Sequence, residues 1–322
     1  MDLALALLTV YCAVLLYFTF KYISRSLLYL DPGTFTDTVT VIVAYRNEAK
    51  HLPELIEDLK RLQHAYPFEV ILVNDHSTDE SLDIAMRHSG PHFRSLSLAP
   101  DVMGKKQALR HAAKQAKGVV LLFTDADCRL RPQWLHLMVG AFARPEVRMV
   151  AGPFLYQRGR SMLAFFQHVE QVLLWGFAKT MATLGHPVLC NGANLAVRKE
   201  TYLSLAARLD HNTPSGDDIF LLQEIKKHGK EAIVYLDHTE AVTSSVPTEE
   251  FKTFLHQKIR WASKAGKISD VGMNISGIIF LLCHIYFLYL LVIGYPKAFF
   301  IKTLFELFFL LTVYLNQYGK FS

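Results

Sequence analysis

Thr38 to Ala44 reads TVTVIVA, a β-branched run without helical period, and the segment after it places Leu52, Leu55, Ile56, Leu59 and Leu62 on one face of a helix. The strand-then-helix unit recurs. Phe68 to Val73 predicts a second strand, and Ser77 to Glu80 (STDE) has capping-box spacing for a short helix. Phe93 to Leu98 and Val119 to Thr124 predict two more strands, separated by an alanine-rich helix from Lys105 to Ala116. Such alternation predicts an α/β chain with a mostly parallel, doubly wound sheet. Ligands of these sheets gather beyond the carboxyl ends of the strands. Arg46-Asn47-Glu48, Asn74-Asp75 and Asp125-Ala126-Asp127 all fall there. After Val147 to Gly152 the pattern changes to a long helix over 160–183, an irregular segment at Cys190 to Asn194, and a helix from Asp217 to His228 stopped by Gly229.

The two ends have a different character. Residues 3–20 and 272–294 contain no Asp, Glu, Lys or Arg, and each has the length and polarity of a bilayer-spanning helix. A third apolar stretch, Ala298 to Leu315, is interrupted by Lys302 and Glu306 and reads either as a span or as an interfacial segment. The first segment opens with Asp2 where a signal peptide has a basic region, lacks an A-x-A site and is followed by Lys21 and Arg25, which favours an uncleaved anchor. Those basic residues, with Lys258, Arg260, Lys264 and Lys267 before the second span, put the middle of the chain in the cytoplasm by the positive-inside bias. The expected organisation is an anchor over 1–24, an α/β domain over 36–246, an amphipathic interfacial helix over 247–268, and one or two membrane spans over 271–316. This describes an integral protein of a plasma or inner membrane.

A formal net charge of +5, without a basic stripe interleaved with aromatics, argues against nucleic acid and for anionic lipid headgroups and an anionic substrate. Cys12 and Cys283 lie in apolar segments, while Cys128 and Cys190 are far apart, so neither a disulfide framework nor a metal-thiolate spacing is present. The 14 histidines are scattered without the pairing typical of metal ligands.

Asp125 and Asp127 leave an apolar strand at i, i+2, where both can meet a hard cation and its phosphate ligands. A lone D-x-D also reads as a solvated turn, here before Pro132, and its place among the other acidic loops favours the metal. Asp75 and Ser77 suit helix capping as well as ligand binding, and Glu48 in a first helical turn suits the helix dipole. Lys105 and Lys106 follow a glycine turn, a place for a phosphate contact or a solvated pair. Gln257, Arg260 and Trp261 share a helix face, where a guanidinium can clamp diphosphate oxygens and an indole can face a sugar ring. Phe251, Phe254, Leu255 and Ile259 give the same helix an apolar side for lipid, and both roles are compatible.

Taken in order, VIVAYRNEA, VNDHSTDES, GKKQAL, FTDAD, Gly216-Asp217-Asp218 and QKIRW resemble the family 2 glycosyltransferases, in the membrane-bound inverting branch that includes polysaccharide synthases and ceramide glucosyltransferase. The likeness runs from about Val39 to Trp261. It implies a GT-A fold and a nucleotide-sugar donor, with UDP as the nucleotide. Glu48 and Asp75 would contact the nucleoside, Lys105 and Asp125 the nucleotide, and Asp127 a Mg2+ or Mn2+ ion. Asp218 would be the catalytic base, Gln257 and Arg260 would hold diphosphate, and Trp261 and Asp217 would meet a lipid-linked or saccharide acceptor. Asp217 stands where relatives carry glutamate, and Ala44 where many carry proline. A subunit of a processive synthase with further membrane partners, and a non-catalytic sugar-nucleotide scaffold, are the competing readings. A nucleotidyltransferase has no use for the Gln257–Trp261 helix, and a nicotinamide dehydrogenase lacks its G-x-G-x-x-G after the first strand.

Overall fold

A computed structural model describes residues 2–24, 35–63, 66–206, 217–265 and 271–321. Arg25, Gly216 and Lys267 lie outside the described residues. In chain order the strands are β1 (Val39–Tyr45), β2 (Phe68–Asn74), β3 (Phe93–Ser97), β4 (Val120–Asp125), β5 (Cys128–Arg129), β6 (Met149–Ala151), β7 (Phe154–Tyr156), β8 (Leu195–Arg198), β9 (Ile233–Tyr235) and β10 (Thr243–Ser245). The helices are α1 (Asp2–Ser24), α2 (Leu52–Lys60), α3 (Ser81–Arg87), α4 (Lys105–Gln115), α5 (Trp134–Gly140), α6 (Met162–Thr183), α7 (Lys199–Ala206), α8 (Asp217–Lys226), α9 (Phe251–Ala265), α10 (Val271–Val292) and α11 (Pro296–Phe321).

Seven strands form the main sheet in the order β3-β2-β1-β4-β8-β6-β9. β1 sits inside it, pairing in parallel with β2 and β4, and all seven of its residues are buried. Covering on both faces explains the unbroken apolar run. Val39, Val41, Val43 and Tyr45 join one core with Leu52, Leu55, Ile56 and Leu59 of α2, whereas Ile42 and Ala44 join the other with Ala108, Ala112 and Ala113 of α4. β8 runs antiparallel to both β4 and β6, an interruption within the mostly parallel sheet.

A second sheet, β5-β10-β7, lies beside the first. Its register aligns Cys128, Ser245 and Tyr156 across one face, directly after Asp127 in the chain. The capping box expected at Ser77 to Glu80 does not form. α3 begins at Ser81, whose backbone N–H donates to Asp79 Oδ1 at 3.0 Å, while the Ser77 hydroxyl accepts from the Asn47 backbone N–H at 3.1 Å. The segment closes the crevice against the loop after β1, and that tertiary bond replaces the local one.

At the ends, Ala4–Ile23 and Pro296–Asn316 are helices long and apolar enough to cross a membrane. α1 packs on α11, α11 packs on α10, and α6 packs on both α1 and α11. The charges that interrupt the last segment are matched internally: Lys302 pairs with Glu306 at 2.8 Å, and Glu306 also meets His284 Nε2 at 2.9 Å and the Tyr11 hydroxyl. Lys302 is buried, so its charge is not presented to lipid. On the domain side, Gly176 of α6 lies so close to α11 that a Cβ there would meet Val313 Cγ1 at 2.2 Å. Next to it, Lys179 pairs with Asp237 at 2.5 Å, both side chains almost wholly buried, with the ammonium 4.9 Å over the Tyr22 ring of α1.

Candidate functional site

The loops after β1, β2 and β4 converge as the strand pattern requires. A cavity of about 260 Å³ is lined by Tyr45, Arg46, Glu48, Asp75, Lys105, Asp125 and Asp127. Two residues at its rim take positive φ, Asn47 at 57° and His76 at 58°. These conformations are uncommon outside glycine, and the cross-loop bonds hold them. Asn47 Oδ1 accepts from the Thr78 backbone N–H at 2.8 Å, and His76 Nε2 lies 2.9 Å from the Val102 carbonyl. Glu48 N–H donates to the Ser81 hydroxyl at 2.8 Å and Ala49 N–H to Asp79 Oδ2 at 3.1 Å, so both loops set as one unit.

Each acidic side chain has a distinct setting. Asp75 is buried and accepts from the Gly104 backbone N–H at 2.9 Å, which ties it to the turn that opens α4. That turn needs glycine, with φ at 102°. It sends Lys105 onto Asp125 as an ion pair, and although burial works against the ammonium, the Asp125 carboxylate outweighs it and holds Lys105 above its ordinary value. Asp127 Oδ2 instead accepts from the Ser245 hydroxyl at 2.7 Å. Glu48 feels burial first and then the charges of Asp127, Asp125 and Asp79, which together push its carboxyl up to about 7. Beneath them, burial and the charges of Asp125 and Asp127 push the Cys128 thiol well up, so it stays protonated.

The donor set fits a hard cation shared with a ligand. Among the described residues no group of three or more His, Cys, Asp or Glu forms a closed metal cage. Asp125 is engaged by Lys105 and one oxygen of Asp127 by Ser245, so a cation held by these carboxylates would need the phosphates of a ligand to complete its coordination, as magnesium and manganese sites commonly require.

The remaining expected residues are not among those that line this cavity. Asp218 opens α8, where its Oδ2 accepts from the Gly192 backbone N–H at 3.1 Å and its Oδ1 from its neighbour Ile219 at 2.9 Å. Its charge reaches Lys105. Asp217 turns the other way and pairs with Lys106 of α4 at 2.7 Å. Gln257 of α9 donates to the Tyr156 hydroxyl at 2.8 Å, and Tyr156 in turn lies within the field of Asp127. Trp261 is half-buried beneath the Lys258 ammonium, 4.3 Å from the ring centre. Arg260 is exposed on the same helix.

Three participants were not apparent from sequence reasoning. Ser245 and Tyr156 reach Asp127 and Gln257 only because β10 and β7 pair beside β5, and nothing in VTSSV or PFLYQ marks them. Gly192 is the third, a backbone donor in the irregular segment after α6. On the opposite face of the small sheet lies a larger cavity of about 520 Å³, lined by Arg129, Arg131, Leu155 and His168 among others. Arg129 is committed there to Asp58 and Glu54, and Arg131 to Glu240.

Comparison with known proteins converges on one family. The profile described as Glycosyl transferase family 2 matches residues 40–203. O-antigen biosynthesis protein RfbC of Myxococcus xanthus is 34% identical over 161 residues, 48% of this chain and 12% of that protein. An undecaprenyl-phosphate 4-deoxy-4-formamido-L-arabinose transferase of Pseudomonas savastanoi pv. phaseolicola is 32% identical over 108 residues, 31% of each chain. The matched stretch thus spans well under two thirds of these curated relatives' length. Among solved structures, a mannosyltransferase from Pyrobaculum calidifontis in complex with GDP-Man and Mn2+ superposes with a TM-score of 0.62 at 20% identity, covering 94% of this chain and 85% of that one. The shared architecture is the GT-A fold. With its profile match extending over half of its length, the chain belongs to glycosyl transferase family 2.

Proposed function

We propose that this protein is a membrane-bound inverting glycosyltransferase that moves a sugar from a nucleotide donor, UDP-linked, to the hydroxyl of a lipid-linked acceptor. The observation that carries the reading is the meeting of three acidic loops in one cavity, with Asp218 oriented by two backbone N–H groups and its charge felt by Lys105 of the cavity lining. The α/β domain over 36–246 would supply catalysis on the cytoplasmic side, with α1, α10 and α11 in the bilayer and α9 at its surface. A relative that is an undecaprenyl-phosphate transferase supports a lipid carrier for the acceptor.

In this reading Glu48 and Asp75 bind the nucleoside, Lys105 and Asp125 flank the phosphates, and Asp127 would hold a divalent ion. Mg2+ or Mn2+ bound there would supply positive charge to the departing diphosphate. Gln257 and Arg260 border the diphosphate from α9. Asp218 accepts the proton of the acceptor hydroxyl, whose oxygen attacks the anomeric carbon from the face opposite the diphosphate; the new glycosidic bond forms as the bond to phosphate oxygen breaks. Two backbone donors orient the Asp218 carboxylate and leave further lone pairs for that proton.

Asp218→Asn tests the assignment. It preserves shape and removes the proton acceptor, so donor affinity by calorimetry should stay near wild type while product formation falls by roughly 10²- to 10⁴-fold. A wild-type protein that binds donor without turnover, and that Asp218→Asn does not alter, would identify a scaffold instead.

A further inference from the structure

α9 carries Gln257, Arg260 and Trp261, and its purchase on the α/β domain runs through a small number of described side chains. Gln257 donates to the Tyr156 hydroxyl at 2.8 Å, and the Phe254 ring meets Phe166 of α6 edge-on with centres 6.0 Å apart. Between these contacts Lys258 pairs with Glu170 of α6, and both side chains are largely shielded from solvent. The same ammonium lies 4.3 Å from the centre of the Trp261 ring and 5.2 Å from that of Phe254. Glu170, Lys258 and Trp261 therefore form a continuous chain of carboxylate, ammonium and indole.

We propose that Glu170 and Lys258 are positioning residues of the acceptor mouth: Glu170 fixes the Lys258 ammonium, which caps one face of Trp261 and leaves the opposite face to the acceptor. This rests on the glycosyltransferase reading above and on the acceptor role that the family resemblance implies for Trp261. The physical reasoning is geometric. Lys258 and Trp261 are three residues apart on a helix and share a face, so the cation meets the ring without distorting the backbone. An ammonium alone on a flexible four-carbon stem would sample many rotamers. The Glu170 carboxylate, on a helix that packs against both α1 and α11, selects the one above the indole. The attraction between cation and ring face then holds the indole plane in turn. Gln257 and Lys258 are adjacent and engage different partners, Tyr156 and Glu170, so together they set the rotation of α9 about its axis.

Full-length protein in detergent micelles permits a test that does not depend on turnover. Trp261 emission is isolated by subtracting the spectrum of the matching Trp261→Phe variant, and its access to acrylamide, a neutral quencher, is measured. Glu170→Gln and Lys258→Met should red-shift that emission and increase quenching, whereas Lys258→Arg, which keeps charge and stacking, should resemble wild type. With a prenyl-diphosphate-linked monosaccharide, which offers both a sugar ring and a free hydroxyl, as the acceptor probe, the first two variants should raise the acceptor KM by roughly 3- to 30-fold, the range expected from losing a cation–ring contact. UDP affinity in the presence of Mn2+ should stay within about twofold. Unchanged Trp261 emission and quenching in Glu170→Gln, with melting as for wild type, would overturn the positioning role. If wild-type protein transfers to no acceptor, the glycosyltransferase reading fails while the fluorescence result still decides the placement of Trp261.

Discussion

At the scale of single residues, the acidic crowding around Glu48 has a consequence for stability. Burial and three neighbouring carboxylates raise Glu48 from 4.5 to about 7 in the folded chain. A folded state that holds this extra proton loses stability as pH rises between those two values. Metal-free protein should therefore unfold at lower denaturant at pH 7.5 than at pH 5.5, and Glu48→Gln should flatten that difference; equal slopes in both proteins would refute the assignment. Gly118 shows a different constraint. It lies just before β4, its N–H donates to Thr40 Oγ1 at 2.9 Å, and a Cβ would sit 2.5 Å from the backbone of Val39 and Thr40. Because backbone cannot yield as a side chain can, Gly118→Ala should destabilise by about 1–3 kcal/mol, measured by chemical unfolding.

At the scale of elements, α11 shows how a helix with two charges can be a credible span. Lys302 and Glu306 are one turn apart, and α1 and α10 bring Tyr11 and His284 onto the same carboxylate. Removing one partner of such a buried pair strands the other, at a cost of about 3–5 kcal/mol, whereas replacing both with apolar side chains is often neutral. Glu306→Leu alone should thus lower the melting temperature of micelle-embedded protein more than Glu306→Leu combined with Lys302→Met. The reverse order would show that Glu306 acts mainly through His284 and Tyr11.

At the scale of the whole molecule, α6 is the helix that contacts both α9 and the terminal helices. One stretch of it meets α9 through Glu170 and Phe166, and another meets α1 and α11 through Lys179 and Gly176. One helix thus links α9 to the terminal helices. Deleting residues 1–24 removes Tyr22 from above the Lys179–Asp237 pair but touches neither core of the sheet. The truncated chain should keep its circular dichroism and its affinity for UDP with Mn2+, and melt at a lower temperature. Loss of nucleotide binding would show that α1 is integral to the domain.

How far the sequence alone reaches follows from the range of the forces involved. Strands β1 to β4, the helices between them and the apolar ends were legible because hydrophobic period is a local property of the chain, and strand-end loops in a parallel sheet must share one crevice. Glu48, Asp75, Asp125 and Asp127 were named on that basis and Lys105 from the glycine turn that opens its helix, and all five line one cavity. The capping box at Ser77 was a sound local reading that failed because Asn47, 30 residues earlier, competes for the same hydroxyl. Short strands β5, β7 and β10 carry two or three residues each, too few to show a period, so the roles of Ser245 and Tyr156 depended on long-range pairing. The turning of Asp217 onto Lys106, the matching of Lys302 and Glu306 with Tyr11 and His284, and the chain from Glu170 to Trp261 were likewise decided by tertiary structure. Each joins groups distant in the chain whose charges settle only once packing has brought them within reach.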